Sequence, residues 1–549
     1  MTSIQHPDAF SRRAFLGACT AAAATSLIPA PAGAAPGGDP ARVAGYRDIV
    51  PEIFAPLPDP PEHSEVIVIG SGFGGAISAL RLGEAGVQVT ILERGSHWPN
   101  DPWRDIFSSE TLPDGRGVWH RDTFSDVVQS ATGVPVPLGV DDFGGVLCID
   151  NYPNMRVLRG AAVGGSSIVY TGVTVQPEQR YFDAVFGGLV DYRELAATYY
   201  PRARQMLRAS TMPPDIYQSS AFAHSRAWDT LAARAGYRPD PSESVWNWDV
   251  IRAELAGRSR PSAVIGRSTL GNSNGSKTDL NRTYLRAAQD TGRAVVYAGH
   301  RVEAITQEGG RFVLTVDKIA PTGDVLAART LTCDRLILAG GSIGTSELLV
   351  RARDTGTLPE LNEHVGAGWG SNGNVVMAPW TLNSPDIGTQ GAAVASRVLD
   401  ESGMPTVLEN FAVPGVPIDV GMLVVIGLVL DETRGTFRYD PAAGKVVLDW
   451  PAGGGNEAIA AAGAASGRIA AAGLSLLPPS IGYANACSHP LGGVVLGRAT
   501  DSYGRIPGHP GLYVLDGAAV PGNAGIANPS LTISALTERN IEAIIRAGG

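Results

Sequence analysis

The stretch Val66–Gly95, VIVIGSGFGGAISALRLGEAGVQVTILERG, constrains this chain more than any other. A short apolar run, Val66–Ile69, predicts a buried strand. Gly70, Gly72 and Gly75 follow in G-x-G-x-x-G spacing, and Ala76–Glu84 is amphipathic. Gly86 ends that helix, Val87–Leu92 predicts a second strand, and Glu93 closes the unit. Each position has a physical task. Gly70 permits a tight strand-to-helix turn, Gly72 lets backbone approach a pyrophosphate, and Gly75 lets helix and strand pack closely. The helix N-terminus meets the phosphate charge. Glu93 follows roughly twenty residues after the first glycine, where a carboxylate can hold ribose hydroxyls. Phe73 and Gly74 inside the turn, and Arg94 after the acid, belong to the same dinucleotide cradle. Strand, turn, helix, strand and acid in succession distinguish this from a chance match in a chain with 68 glycines.

With 549 residues, two or more domains are expected. A net charge of −10 without a basic stripe argues against nucleic acid as a partner. Cys19, Cys148, Cys333 and Cys487 form no C-x-x-C pair, so neither a metal site nor a disulfide framework is expected. Residues 1–35 read as a leader: Ser11-Arg12-Arg13-Ala14-Phe15-Leu16 is a twin-arginine signal, an apolar run follows, and Ala32 and Ala34 fit an A-x-A cleavage site. Secretion of a folded protein is the expectation.

Residues 36–62 read as a surface arm and residues 96–150 as long loops. Arg159–Ser167 is a Gly/Ser cluster expected to lead into an alternating strand, Ile168–Val175. A second strand–glycine–helix step, Arg335–Ala339 into Gly340 and a helix to about Arg353, would return backbone to the bound dinucleotide. The dinucleotide domain is therefore assembled from separated pieces.

Two later stretches carry chemistry: Cys487-Ser-His489-Pro-Leu-Gly-Gly493, and Asp516-Gly517 followed by Asn528-Pro529 at the start of a last helix. Together they resemble the C-terminal signature of the glucose–methanol–choline (GMC) flavin oxidoreductases. Leu348–Pro359, Val365–Gly370 and Arg434–Phe437 are similar to the branch containing bacterial cholesterol oxidases with non-covalent FAD. The resemblance implies an α/β fold, with a Rossmann-type FAD domain (60–105, 270–372 and 504–549) and a substrate domain with a large, mostly antiparallel sheet (106–269 and 374–503). It implies that Gly160, Gly164, Gly165, Ser166, Gly340, Asp516 and Gly517 approach the pyrophosphate and flavin, and that Val302 flanks adenine. Asn528 and Pro529 would lie beside the flavin ring.

The same resemblance makes His489 the group that hydrogen-bonds a reacting hydroxyl and Asn528 the amide that tunes the flavin. Counting back from Arg434 puts the family's active-site glutamate on Asp419, whereas Glu409 falls on a position without a family role. Tyr170-Thr171-Gly172-Val173 departs from the family's Asn-Gly-Gly-Met. The implied activity is an FAD-dependent oxidase converting a 3β-hydroxysteroid or another bulky secondary alcohol to the ketone. O2 would become H2O2, and a Δ5 to Δ4 isomerisation could follow. The alternatives are a GMC oxidase or dehydrogenase for a non-steroid alcohol, and a silent flavin- or sterol-binding protein. A monomer that touches membrane surfaces transiently through the 96–145 loops is expected.

Overall fold

The computed structural model describes residues 40–121, 139–377, 390–412, 423–473 and 486–548. Strand β1 (His63–Ile69) is buried from Val66 onward, and helix α1 (Phe73–Glu84) packs its apolar face on the sheet that β1 begins. Strand β2 (Val89–Glu93) lies parallel to β1, and β3 (Ala294–Ala298) lies parallel to β2. A hairpin of β4 (His300–Glu308) and β5 (Arg311–Ile319) turns at Gly309-Gly310. Strand β6 (Val325–Leu338) changes partners along its length. Its first part runs antiparallel to β5, while Thr332–Leu338 runs parallel to β1. The expected strand Arg335–Ala339 is thus the buried end of a longer one, which feeds α2 (Gly341–Asp354).

The substrate sheet takes β7 (Asn374–Met377), β8 (Ser396–Asp400), β9 (Thr406–Phe411) and β10 (Val424–Val429). Its order is β7-β10-β9-β8, with Asp240–Pro241 at the far edge and every pairing antiparallel. Helix α3 (Asn456–Ala471) covers one face, packing Ala458, Ala462 and Ile469 against Leu408 and Val425. Strand β11 (Leu512–Val514) returns to the first sheet beside β6, and α4 (Pro529–Arg546) packs against α1. This is the Rossmann-type domain plus antiparallel sheet that the sequence implied.

One local expectation differs. Ile168–Val175 is not a strand: left-handed Gly164 and Gly165 initiate a tight 3-10 turn, and the Tyr170 N–H closes back on the Ser166 carbonyl. The described part of the expected surface arm, 40–62, is mostly exposed and is anchored at one point. The helix Pro40–Ile49 buries Tyr46, whose hydroxyl donates to Asp141 at 2.6 Å. Among the described residues no helix is long and apolar enough to cross a membrane.

Candidate active site

Three helices of 12, 14 and 18 residues (α1, α2 and α4) begin at Gly72, Gly340 and Asn528, and none of these starting residues caps its own helix with a side chain. All three starting residues line one cavity of about 320 Å³. Uncapped N–H groups and the positive ends of helix dipoles make such ground favourable for anionic groups. Backbone approaches are close there. A Cβ on Gly74 would fall 1.7 Å from the Leu515 carbonyl oxygen, and one on Gly165 would fall 2.8 Å from the Gly72 Cα. Gly72 itself keeps free space, with only the Gly165 Cα at 4.0 Å from a Cβ placed on it.

Glu93 ends β2 at the cavity wall. One carboxylate oxygen accepts from the Ser71 N–H at 3.1 Å and the Ser71 hydroxyl at 2.7 Å; the other accepts from the Gly95 N–H at 2.9 Å. A carboxylate has about four acceptor sites, so capacity remains for a ribose hydroxyl. Arg94 also borders the cavity, with Nη2 buried and unpartnered. Asp516 ties β11 to α2, accepting from the Gly341 N–H at 2.8 Å and the Thr345 hydroxyl at 2.6 Å. Burial pushes its carboxyl up to about 6.

At the other end of the cavity stand His489 and Asn528. Burial pushes the imidazole down to about 4, so it is neutral near pH 7, and its Nδ1 has no partner. The Asn528 amide does not cap its own helix. Its NH2 donates to Glu409 Oε2 at 3.1 Å, and its Oδ1 is left unpartnered. Both residues are held by one short segment, Asn372-Gly373-Asn374. Asn372 donates to the Ala527 carbonyl at 2.9 Å, and Asn374 Oδ1 accepts from the Ser488 N–H at 3.0 Å. Tyr170 also lines the cavity, its ring edge-on to Phe73 at 5.7 Å and its hydroxyl buried without a partner.

Residues 481–537 match the GMC oxidoreductase C-terminal family model, and residues 63–132 match an FAD-binding domain. The chain is 26% identical to the cholesterol oxidase of Mycobacterium tuberculosis (strain H37Rv), covering 86% of this chain and 90% of that one. The chain is similar to the GMC oxidoreductases in its C-terminal segment and to a cholesterol oxidase over most of its length. A cholesterol oxidase of Acinetobacter baumannii is 24% identical over 61% of this chain and 58% of its own length. Among solved structures, a pyridoxine 4-oxidase from Mesorbium loti has a TM-score of 0.59 at 17% identity, covering 88% of this chain and 99% of its own. A fungal aryl-alcohol oxidase has a TM-score of 0.60 at 15% identity, covering 89% and 100%. These two share the fold.

The cofactor is FAD, and the residues fit it: glycines keep the cradle open, helix ends face it, and Glu93 has acceptor capacity to spare. Of the residues expected from sequence, Gly70, Gly72, Phe73, Gly74, Glu93, Arg94, Gly160, Gly165, Ser166, Val302, Gly340, Asp516, Gly517, Pro529, His489 and Asn528 border the one cavity. Gly75 does not. It faces β1, where a Cβ would sit 2.0 Å from the Gly70 carbonyl oxygen, so its task is the close packing expected of it. Gly164 stands behind the wall, its N–H donating to the Ser71 hydroxyl at 3.0 Å. Asp419 lies outside the described residues. Sequence reasoning set Glu409 aside and missed Asn372 and Asn374. One signal for Glu409 was available: a lone acid inside an apolar strand, TVLENF, must find a partner if that strand is buried.

Proposed function

We propose that this protein is an alcohol oxidase acting on a 3β-hydroxysteroid or a similarly bulky secondary alcohol, with O2 as electron acceptor and H2O2 as product. The observation that carries this reading is that His489 and Asn528 line the same cavity as the Gly72–Gly165 cradle. Bound FAD, held without a covalent link, supplies a two-electron acceptor for hydride leaving the carbinol carbon. A neutral imidazole keeps one ring nitrogen as acceptor, so His489 can take the hydrogen bond of the alcohol O–H and hold its proton as the carbon is oxidised. The start of α4 favours negative charge near Asn528. Val173 joins the cavity to an apolar cluster with Val407, Phe411 and Ile426, which suits a bulky apolar substrate. The likeness to cholesterol oxidases over most of the chain supports the steroid class.

The catalytic roles of His489 and Asn528, and of Asp419 in an accompanying Δ5 to Δ4 shift, are part of this proposal. So are export by the twin-arginine route, a monomeric state and transient membrane contact, for which exposed Trp103 and Leu112 in the 96–121 loops offer apolar side chains. A second reading, a non-steroid alcohol, is favoured by Tyr170, whose buried hydroxyl adds a polar group to the wall. Anaerobic addition of cholesterol, other sterols and small aromatic alcohols to the yellow protein tests both. Sterols are expected to bleach the flavin. Bleaching by small alcohols alone would replace the steroid reading with the second, and bleaching by none would overturn alcohol oxidation.

A further inference from the structure

Three consecutive carbonyls on the cavity wall turn away from the cavity. The Tyr170 carbonyl accepts from Lys277 Nζ at 2.6 Å, the Thr171 carbonyl from Trp246 Nε1 at 3.2 Å, and the Gly172 carbonyl from the Val245 N–H at 2.9 Å. Lys277, Trp246 and Val245 are buried and none borders the cavity, whereas Tyr170, Thr171 and Val173 do. A trans peptide is planar, with its N–H opposite its carbonyl. The Thr171, Gly172 and Val173 N–H groups therefore face the other way, and none has a partner among the described residues. Backbone donors at buried positions are seldom left unpaired. This row of donors points to a ligand that offers acceptor atoms or negative charge.

Behind the row sits a cation. Lys277 is 2% exposed, and its second hydrogen bond goes to the Ser268 carbonyl at 2.7 Å. Its ammonium lies 5.5 Å from the Tyr170 ring centre and 5.9 Å from that of Trp246. Among the described residues no carboxylate pairs with it directly. Burial pushes Lys277 down to about 7, while Asp279 and Glu110 pull it back up from farther off. A buried charge without an ion-pair partner is costly. Two carbonyl acceptors offset only part of that cost.

We propose that Lys277 is a positioning residue for the redox step: it polarises the Tyr170–Thr171 peptide, making the Thr171 N–H a stronger donor toward negative charge on the reduced flavin. A cation held on a carbonyl oxygen draws electron density from the amide nitrogen, and hydrogen bonds in series strengthen one another. Donors fixed in a buried site need no reorganisation when charge arrives. His489 cannot supply this charge, because burial pushes it down to about 4 and leaves it neutral near pH 7. Lys277 acts without bordering the cavity itself. The proposal rests on the reading of this cavity as a flavin site.

Tyr170-Thr171 is the only Tyr-Thr step in the sequence, so 13C-carbonyl tyrosine with 15N-threonine singles out that peptide by NMR. The test compares the holoenzyme with its Lys277→Met and Lys277→Gln variants, on the acidic side of the Lys277 midpoint of about 7. The Thr171 amide proton is expected downfield in wild type relative to both variants. The flavin reduction potential is expected to fall in both by at least about 30 mV, a tenfold loss of preference for the reduced state. Lys277→Gln keeps a donor for the Tyr170 carbonyl without the charge, so it would replace a lysine that only ties loops together. A wild-type potential in Lys277→Gln overturns the proposal, and so does a Thr171 signal that neither variant moves. If Lys277→Met fails to fold, Lys277→Gln decides by the same two readings. If both readings change as expected yet no alcohol bleaches the flavin, the proposed activity fails and the role of Lys277 stands.

Discussion

Asn374 Oδ1 accepts both hydrogen bonds that Ser488 can donate, from its N–H at 3.0 Å and its hydroxyl at 2.9 Å. Two residues upstream, Asn372 accepts from the Ala524 N–H at 2.8 Å and donates to the Ala527 carbonyl. One turn of chain at the start of β7 therefore fixes the loops bearing His489 and Asn528 relative to each other. Gly373 between the two asparagines has a positive φ, and a Cβ on it would meet the Val429 carbonyl oxygen at 2.0 Å.

Asn374→Ala removes the one acceptor that serves both Ser488 donors while leaving the cofactor cradle alone. Leaving a buried donor unpaired costs about 1–3 kcal/mol, and a shift of about 1 Å in a reacting group can cost on the order of a hundredfold in rate. Turnover is expected to fall by roughly that factor with flavin content unchanged, as read by absorbance of the purified variant.

Gly165 combines a positive φ with an approach to Gly72 that leaves no room for a side chain. Gly165→Ala incurs roughly 1–2 kcal/mol of backbone strain and pushes the cradle open. The expected result is a folded protein, by circular dichroism, that purifies with little flavin.

Glu538 on α4 is fully buried and accepts from Arg81 Nε at 2.7 Å, Arg81 Nη2 at 2.6 Å and the Tyr284 hydroxyl at 2.7 Å. It ties α4 to α1 and to the helix Tyr284–Asp290. Glu538→Ala leaves Arg81 without its buried partner and should destabilise the fold by about 3–5 kcal/mol, measured by urea denaturation.

The buried pair His489 and Glu409 should shape stability against pH with opposite signs. His489 drops from 6.5 to about 4, so the unfolded chain binds more protons between those values, and its contribution is lost as pH falls through that window. Glu409 rises from 4.5 to about 7, so the folded chain binds more protons there, and its contribution is lost as pH rises through that window. Urea midpoints of Glu409→Gln should therefore climb more steeply with pH than wild type between 4.5 and 6.5, and those of His489→Gln less steeply. Variants that parallel the wild type would contradict both assignments.

What the sequence made legible was local. The β1–Gly70–α1 turn, Glu93, the Gly309-Gly310 hairpin and the α2 start at Gly340 each depend on neighbours a few residues away, so pattern and spacing reveal them. His489 and Asn528 came through family resemblance. Glu409 was hidden because its partner is 119 residues distant and the pairing depends on the register of β9 against α4. Asn372 and Asn374 were hidden for the same reason, since an Asn-Gly-Asn run reads locally as a turn. The Ile168–Val175 strand failed because positive φ at Gly164 and Gly165 curls the chain before alternation can be used.

The central claim is that His489 handles the hydroxyl while the flavin takes the hydride. It is tested most directly by the rate of anaerobic flavin bleaching by an alcohol substrate in His489→Ala and in wild type, at equal flavin content. Loss of a general base or acid typically costs 10²–10⁴-fold, so the variant should bleach at least about a hundredfold more slowly while keeping its yellow colour. Equal rates in the two proteins would contradict the account.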